Sequence, residues 1–212
     1  MGAEVSRKPK WRRRAEHRPD EILDAALDEF EQVGFAAARV EDIAQRAGIS
    51  KAGVYLYFDT KEAILRGLIE REVAPVARRF RALAKAGIGD PAGSLKALVA
   101  AVATFVSDKR SFAVPRIVLS VAGRYPDIAV YYRINVVEQG FEAVKELHRA
   151  GVARGDFRPC DPDVAARTVI GPIFAHGFYS HMLLGDPGAL ELRERIAAHT
   201  DILFNGLTAA KR

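Results

Sequence analysis

Cysteine is nearly absent. The 212 residues hold one, Cys160, so the chain can close no internal disulfide. Cys160 stands in Arg158-Pro159-Cys160-Asp161-Pro162, a loop composition, and no cysteine–histidine spacing of zinc-site type accompanies it. That excludes a disulfide-stapled scaffold and a zinc finger. Strand-like alternation of useful length is missing too. Long apolar runs are scarce: Thr168 to Gly185 lacks Lys, Arg, Asp and Glu, but it carries Pro172, His176, Ser180 and His181. A spanning helix needs about 20 mainly apolar residues, so this stretch reads as a helix buried on most sides of a soluble assembly. The basic start leads into a polar segment, which is no secretory signal, and a cytoplasmic location is expected. No glycine loop suited to phosphate, no nucleophile–base pairing and no metal-ligand cluster on one helix face stands out. Neither an enzyme, a cofactor nor a metal is expected.

The hydrophobic share of 49% is ample for a core, and the net charge of +5 is unevenly placed. Residues 1–18 contain seven basic side chains (Arg7, Lys8, Lys10, Arg12, Arg13, Arg14, Arg18) and two acidic ones (Glu4, Glu16), a difference of 7 − 2 that equals the whole net charge. The basicity belongs to an arm, read as flexible over 1–18. It can track phosphates or enter a minor groove, or it can be a solvated tail.

Beyond the arm the pattern is helical. Asp20 can cap a first helix with Ile22, Ala26, Phe30 and Val33 on one stripe, ended by Gly34. A second runs from Val40, with Ile43, Ala44 and Ala47 at i+3, i+4 and i+7. Gly48 tolerates the positive φ that closes a helix, Ile49 can plug the corner, and Ser50 can cap a third helix over Lys51 to Phe58. Asp59-Thr60 opens a fourth, Lys61 to about Lys85, in which Pro75 predicts a bend. Gly87 to Pro91 reads as a linker. Further helices are predicted over Ala92–Ser107, Phe112–Ala122, Asp127–Ala153, Asp163–Leu184 and Ala189–Leu207. The fold class is therefore all-α with about nine helices: a three-helix head with a helix-turn-helix over 19–68 and a helical bundle over 69–212.

Ala44 allows two helices to cross closely, and Val54 and Phe58 anchor the third helix from one side. Lys51, Ala52, Gly53, Tyr55, Leu56 and Tyr57 are then free to face outward. A helix fits the major groove of DNA, and its first turn reaches the bases. The plain alternative is a three-helix corner in a helical protein. The basic arm upstream and the tyrosines at 55 and 57, able to hydrogen-bond phosphates, favour the DNA reading.

Pro19 to Leu68 resembles the DNA-binding domain of tetracycline-repressor (TetR) type regulators. The resemblance rests on Ile22-Leu23-Asp24-Ala25-Ala26, Phe30, Gly34-Phe35, Val40-Glu41-Asp42-Ile43-Ala44, Ala47-Gly48-Ile49-Ser50-Lys51, Val54-Tyr55-Leu56-Tyr57-Phe58 and Lys61-Glu62. It implies a dimeric, all-helical transcription factor with a ligand-responsive C-terminal domain. By position it implies that Lys51, Tyr55, Tyr57 and Lys61 meet phosphates or bases, with Ala52 and Gly53 against the groove and Ser50 capping. Lys61 has an alternative as a partner of Glu62 or Asp59. Two departures stand out. The family usually places Thr or Ser before the second helix. Here Ala38-Arg39 stand there, so Arg39 can meet a phosphate while the cap, typically worth ~1 kcal/mol, is lost. Leu56 occupies a position commonly polar or aromatic, where it can touch a thymine methyl or be inert.

In the body, the last two long helices are the expected dimer interface, two from each subunit making a four-helix bundle. Gly171, Ala175 and Gly177 would let helices approach closely. Candidate residues for an apolar effector pocket are Phe105, Phe112, Arg116, Tyr131, Asn135, Phe174 and Phe178. Aromatic residues at helical spacing are also ordinary core. The expected function is a ligand-responsive regulator, most simply a repressor, that binds a palindromic double-stranded operator as a homodimer. A small apolar or aromatic effector would release it. The alternative is a constitutive DNA-binding protein with a solid body. An internal cavity separates the two.

Overall fold

The structure, a computed structural model, describes residues 10–184 and 188–205. Among these every regular element is helical and no strand occurs. The helices are α1 (Lys10–Val33), α2 (Val40–Arg46), α3 (Lys51–Tyr55), α4 (Lys61–Leu68), α5 (Ala74–Ala86), α6 (Pro91–Ser107), α7 (Ala113–Val121), α8 (Pro126–Tyr132), α9 (Glu138–Arg154), α10 (Pro162–Phe178) and α11 (Ala189–Asn205). π turns at Ile69–Val73 and Arg133–Val137 join α4 to α5 and α8 to α9, and a third at Tyr179–Leu183 extends α10. Joined in this way, 11 − 2 segments make nine helical runs among the described residues. The chain divides into two compact units, Met1–Leu68 and Ile69–Arg212.

In the first unit, α1 buries Ile22, Ala26, Leu27 and Phe30 against α2 and α4. Phe30 and Phe35 meet edge to face at 5.0 Å. Arg46 on α2 donates from Nη2 to Glu29 Oε2 at 2.9 Å and to Gln32 Oε1 at 2.7 Å, which ties α2 to α1 through the buried Glu29. Gly67 is tightly packed: a Cβ there would come within 2.9 Å of Phe58 Cε1 and 3.0 Å of Leu23 Cδ2.

Two expectations for this unit are corrected. The first helix begins at Lys10, well ahead of the Asp20 cap, and Pro19 lies inside it. Lys, Arg, Ala and Glu are strong helix formers, and Pro19 fits a helical φ while removing one backbone hydrogen bond. Of the arm expected over 1–18, residues 10–18 are thus helical in backbone, and residues 1–9 lie outside the described residues. Val33, placed on the buried stripe, is 45% exposed because α1 ends there.

In the second unit, α9 packs on both α5 and α10, and α6 packs on α9, α10 and α11. The core joins Leu98, Val102, Val106, Phe112, Val144, Leu147, Ile170, Ile173, Leu192 and Ile196. Asp90 caps α6, accepting from Gly93 N–H at 3.0 Å. Asp161 caps α10, accepting from Asp163 and Val164 N–H at 2.8 and 3.0 Å. Gly155, at φ +82°, closes α9. Pro75 stands at the start of α5, directly after the π turn. A proline ring clashes with the carbonyl four residues earlier, so the helix widens ahead of Pro75. Gly177 serves an approach within the chain, since a Cβ there would meet Val106 Cγ1 at 2.2 Å. His181, one of two histidines on the charge-free stretch, is buried with Nε2 2.9 Å from Val106 O. Among the described residues no helix is long and apolar enough to cross a membrane.

Candidate nucleic-acid interface and effector cavity

The corner between α2 and α3 is built locally. Gly48 takes φ +66°, a conformation costly for a residue with a Cβ. Its N–H donates to Gln45 O at 3.1 Å, and Ile49 N–H donates to Ala44 O at 3.0 Å. Ser50 Oγ accepts from Gly53 N–H at 3.0 Å and caps α3. Val54 is fully buried and pins α3 inward. The opposite side carries Lys51, Ala52, Tyr55, Leu56 and Tyr57, all exposed, with Leu56 at 83%. Arg39 precedes α2 with no side-chain cap, as the Ala38-Arg39 departure requires.

Lys51 is not idle on this face. Its Nζ lies 2.6 Å from Glu41 Oε1 and 5.7 Å from the Tyr55 ring centroid. Arg39 Nε is 3.8 Å from Glu41 Oε2, so one carboxylate on α2 faces two cations. The Lys51 hydrogen bond holds the Glu41 carboxyl below its ordinary range, and the same bond pushes the Lys51 ammonium up. Glu41 was not singled out from the sequence: ten residues separate it from Lys51, and only the corner brings them together.

Within the unit Lys61 turns to backbone carbonyls. Its ammonium donates to Ala36 O at 3.1 Å and Ala38 O at 2.8 Å, and it lies 4.8 Å from the Phe35 ring centroid. Partial burial lowers its pKa. It anchors the turn before α2 rather than pairing with Glu62 or Asp59. The start of α4 is capped by Thr60, whose Oγ1 accepts from Ala63 N–H at 3.0 Å.

The second unit contains a cavity of about 240 Å³. Its wall comes from α5 (Ala77, Phe80), α6 (Leu98, Val102, Phe105), the stretch around the second π turn (Tyr132, Val136, Val137, Gly140, Phe141) and α10 (Ile170, Gly171, Phe174, Phe178). The wall is apolar almost throughout. Tyr132 brings its one side-chain hydroxyl, and burial raises the pKa of that phenol. Gly140 and Gly171 keep the space open, since a Cβ at either would meet nothing within 4 Å.

Of the pocket residues expected from sequence, Phe105, Phe174 and Phe178 line this cavity, and Phe112, Arg116, Tyr131 and Asn135 do not. Phe112 is fully buried behind the wall, its ring 4.8 Å from Phe178, 5.7 Å from Phe174 and 6.4 Å from Phe105. Tyr131 points to another face, where its hydroxyl donates to Glu70 Oε1 at 2.7 Å. Asn135 Nδ2 donates to Tyr131 O at 2.9 Å. Arg116, on α7, is absent from the lining. The inward phase on this stretch runs through Tyr132, Val136 and Gly140, one residue on from Tyr131 and Asn135. Successive helix residues stand about 100° apart, which is enough to exchange wall for exterior. Among the described residues no group of three or more His, Cys, Asp or Glu is placed to hold a metal.

A helix-turn-helix in one unit and an apolar cavity in a separate helical unit define a class, that of one-component helix-turn-helix regulators. Comparison places the chain within it. Residues 22–68 match the family described as "Bacterial regulatory proteins, tetR family", and residues 85–196 match "Tetracyclin repressor-like, C-terminal domain". The chain belongs to the TetR family of transcriptional regulators. It is 45% identical over 64 residues to the HTH-type transcriptional regulator RutR of Escherichia coli (strain K12), covering 28% of this chain and 30% of that protein. It is 37% identical over 89 residues to BetI of Paraburkholderia phytofirmans, covering 41% and 44%. The chain thus spans less than half the length of these curated relatives. Among solved structures, the fatty acid degradation regulator FadR from Bacillus halodurans superposes with a TM-score of 0.73 at 22% identity, over 95% of this chain and 98% of that one. FadR from Bacillus subtilis in complex with stearoyl-CoA gives 0.66 at 17% identity, over 89% and 99%.

Proposed function

We propose that this regulator is a repressor that binds a palindromic operator as a homodimer and is released when an apolar effector fills its body. The observation that carries this reading is the apolar cavity of about 240 Å³ in a chain that also exposes a helix-turn-helix. An engineered apolar cavity of about 150 Å³ takes up benzene, so this one has room for a larger apolar guest. A constitutive DNA-binding protein would need a solidly packed body, and the cavity counts against it. The complex of the Bacillus subtilis relative with stearoyl-CoA supports the idea that a body of this fold accepts a long apolar group.

For DNA, α3 is the recognition helix, with Lys51, Tyr55 and Tyr57 at phosphates or base edges. Ala52 and Gly53 let its backbone approach, Ser50 fixes its first turn, and Leu56 is offered to a thymine methyl. Arg39 and Lys51 reach phosphates by exchanging Glu41 for them. Lys61, held by the Ala36 and Ala38 carbonyls, contributes mainly by stiffening the turn beside α2. Val164, Tyr179, Met182, Leu183, Leu190 and Ile202 leave exposed apolar surface on α10, its π extension and α11. Such surface is what a second copy would cover. Two recognition helices must then meet successive major grooves about 34–36 Å apart, and an effector that alters their separation weakens DNA binding. By linkage, operator DNA weakens effector binding by the same factor.

The test is anisotropy titration of a palindromic operator selected from random duplexes. Lys51→Ala and Tyr55→Ala should each lower specific affinity with the melting temperature kept. Unchanged affinity for both variants would remove α3 from the interface. Apolar compounds that raise the melting temperature should weaken operator binding, and hits that leave it unchanged would refute release by effector.

A further inference from the structure

The apolar cavity has a charged neighbour. A second hollow is lined by Arg81, Glu138, Gln139, Glu142, Lys145, Asp163 and Arg167, and Phe141 is the one residue common to both linings. The two spaces therefore adjoin at Phe141. The change from charged to apolar runs along one face of α10. Asp163 and Arg167 line the hollow, and Gly171, Phe174 and Phe178 continue the i, i+4, i+3 or i+4 spacing into the cavity. On α5 the step is equally short, from Phe80 in the cavity to Arg81 in the hollow.

The hollow carries three cations and three carboxylates, but they do not pair one to one. Glu138 pairs with Arg133. Glu142 and Asp163 share Lys145, at 2.5 and 3.0 Å. Arg81 donates to Gln139 Oε1 at 3.0 Å and to Glu146 Oε1 at 3.3 Å. Arg167 acts on Asp163 only through space, beyond ion-pair distance. Among the described residues it makes no ion pair, and its guanidinium lies over the Phe141 ring, 5.3 Å from the centroid. A guanidinium presents five donors in a planar fork that matches a carboxylate or phosphate. This one lies over a ring that also lines the cavity, whose wall offers almost no polar partner.

We infer that the effector is a single-chain anionic amphiphile, its apolar chain in the cavity and its carboxylate or phosphate head on Arg167, with Phe141 between them. This deepens the effector reading and rests on it. A neutral apolar molecule would leave Arg167 unused. A cationic head would meet a hollow whose carboxylates are already held by Arg133 and Lys145. An anionic head exchanges the weak guanidinium–ring contact for charge-assisted hydrogen bonds.

The experiment is calorimetric titration of the full chain with dodecanoate, dodecyl phosphate, dodecanol and dodecyltrimethylammonium, repeated on Arg167→Gln and Gly171→Leu. Dodecanoate or dodecyl phosphate should bind more tightly than dodecanol, and which anion binds better distinguishes a carboxylate head from a phosphate head. Arg167→Gln should weaken the anions by about fivefold or more, leave dodecanol unchanged and leave the melting temperature of the free protein within error. Gly171→Leu should weaken all chains together. If dodecanol and dodecyltrimethylammonium bind as well as the anions and Arg167→Gln changes none of them, the anionic head is overturned and the apolar cavity reading stands. If no dodecyl compound binds while ring-shaped apolar compounds do, the single-chain class is overturned. If no apolar compound of either shape binds, the effector reading itself falls.

Discussion

Replacing Gly171 with Leu puts the effector reading to a quantitative test. Gly171 is in the middle of α10, its φ is not positive, and an added Cβ would meet nothing within 4 Å. A leucine side chain has open cavity ahead of it. Glycine costs a helix interior about 0.8–1 kcal/mol, most of which Leu recovers. Burying the four side-chain carbons contributes about 2 kcal/mol if the cavity wall closes around them. Fixing the leucine rotamer returns about 0.5–1 kcal/mol. The net expectation is a stabilisation of about 2 kcal/mol, and at 2–4 °C per kcal/mol for a chain of this size the melting temperature should rise by about 4–8 °C. Operator affinity should stay close to that of the parent, while effectors found by thermal shift should no longer bind or release DNA. Scanning calorimetry and operator anisotropy, with and without effector, read all three quantities. Gly140→Leu, entering the same space from α9, repeats the test independently. A lowered melting temperature would mean that the space cannot take a side chain. A raised one with full effector response would mean that the effector binds elsewhere.

Glu41→Gln releases Lys51 and Arg39 from their shared carboxylate. DNA binding should tighten and its affinity should fall more steeply with salt, as two unpaired cations meet phosphates. Weaker binding in a salt-dependent anisotropy series would show instead that Glu41 positions Lys51. Changing Arg7, Lys8, Lys10, Arg12, Arg13 and Arg14 together to Gln keeps helix formers at 10–14. The slope of log affinity against log salt should become shallower by about 0.9 for each phosphate the arm no longer neutralises, and an identical slope would make the arm a spectator. His176 has its pKa lowered by partial burial, then by His199 and Arg195. The fold therefore keeps it neutral where the unfolded chain accepts a proton. Stability should be unaffected above the ordinary histidine value of about 6.5 and should fall as pH drops below it. Urea melts between pH 8 and 5 should show a smaller loss for His176→Gln, and an equal loss would assign the dependence to other groups.

The two units differ in how far their chemistry could be read from the chain alone. The corner of the first unit depends on neighbours in sequence. Gly48 is needed because one residue must turn left-handed, Ile49 and Ser50 follow from that turn, and Val54 must point inward if Tyr55 and Tyr57 point out. Each relation spans a few residues, where bonded geometry and helix periodicity act directly. The Lys51–Glu41 pair and the tie from Lys61 to the Ala36 and Ala38 carbonyls cross between elements, and only their packing decides them. In the second unit, composition already pointed to an apolar, aromatic-rich bundle, and Phe105, Phe174 and Phe178 line the cavity. Tyr131 and Asn135 do not, because the wall takes Tyr132 and Val136, the next residues along. Phe112 looks like its aromatic neighbours in sequence, yet four rings and a backbone fill its surroundings and leave it no cavity face. A cavity is where several helices fail to meet. Helical periodicity tells which residues share a face, but which face turns toward the empty space depends on how α5, α6, α9 and α10 cross, and tertiary packing alone determines that.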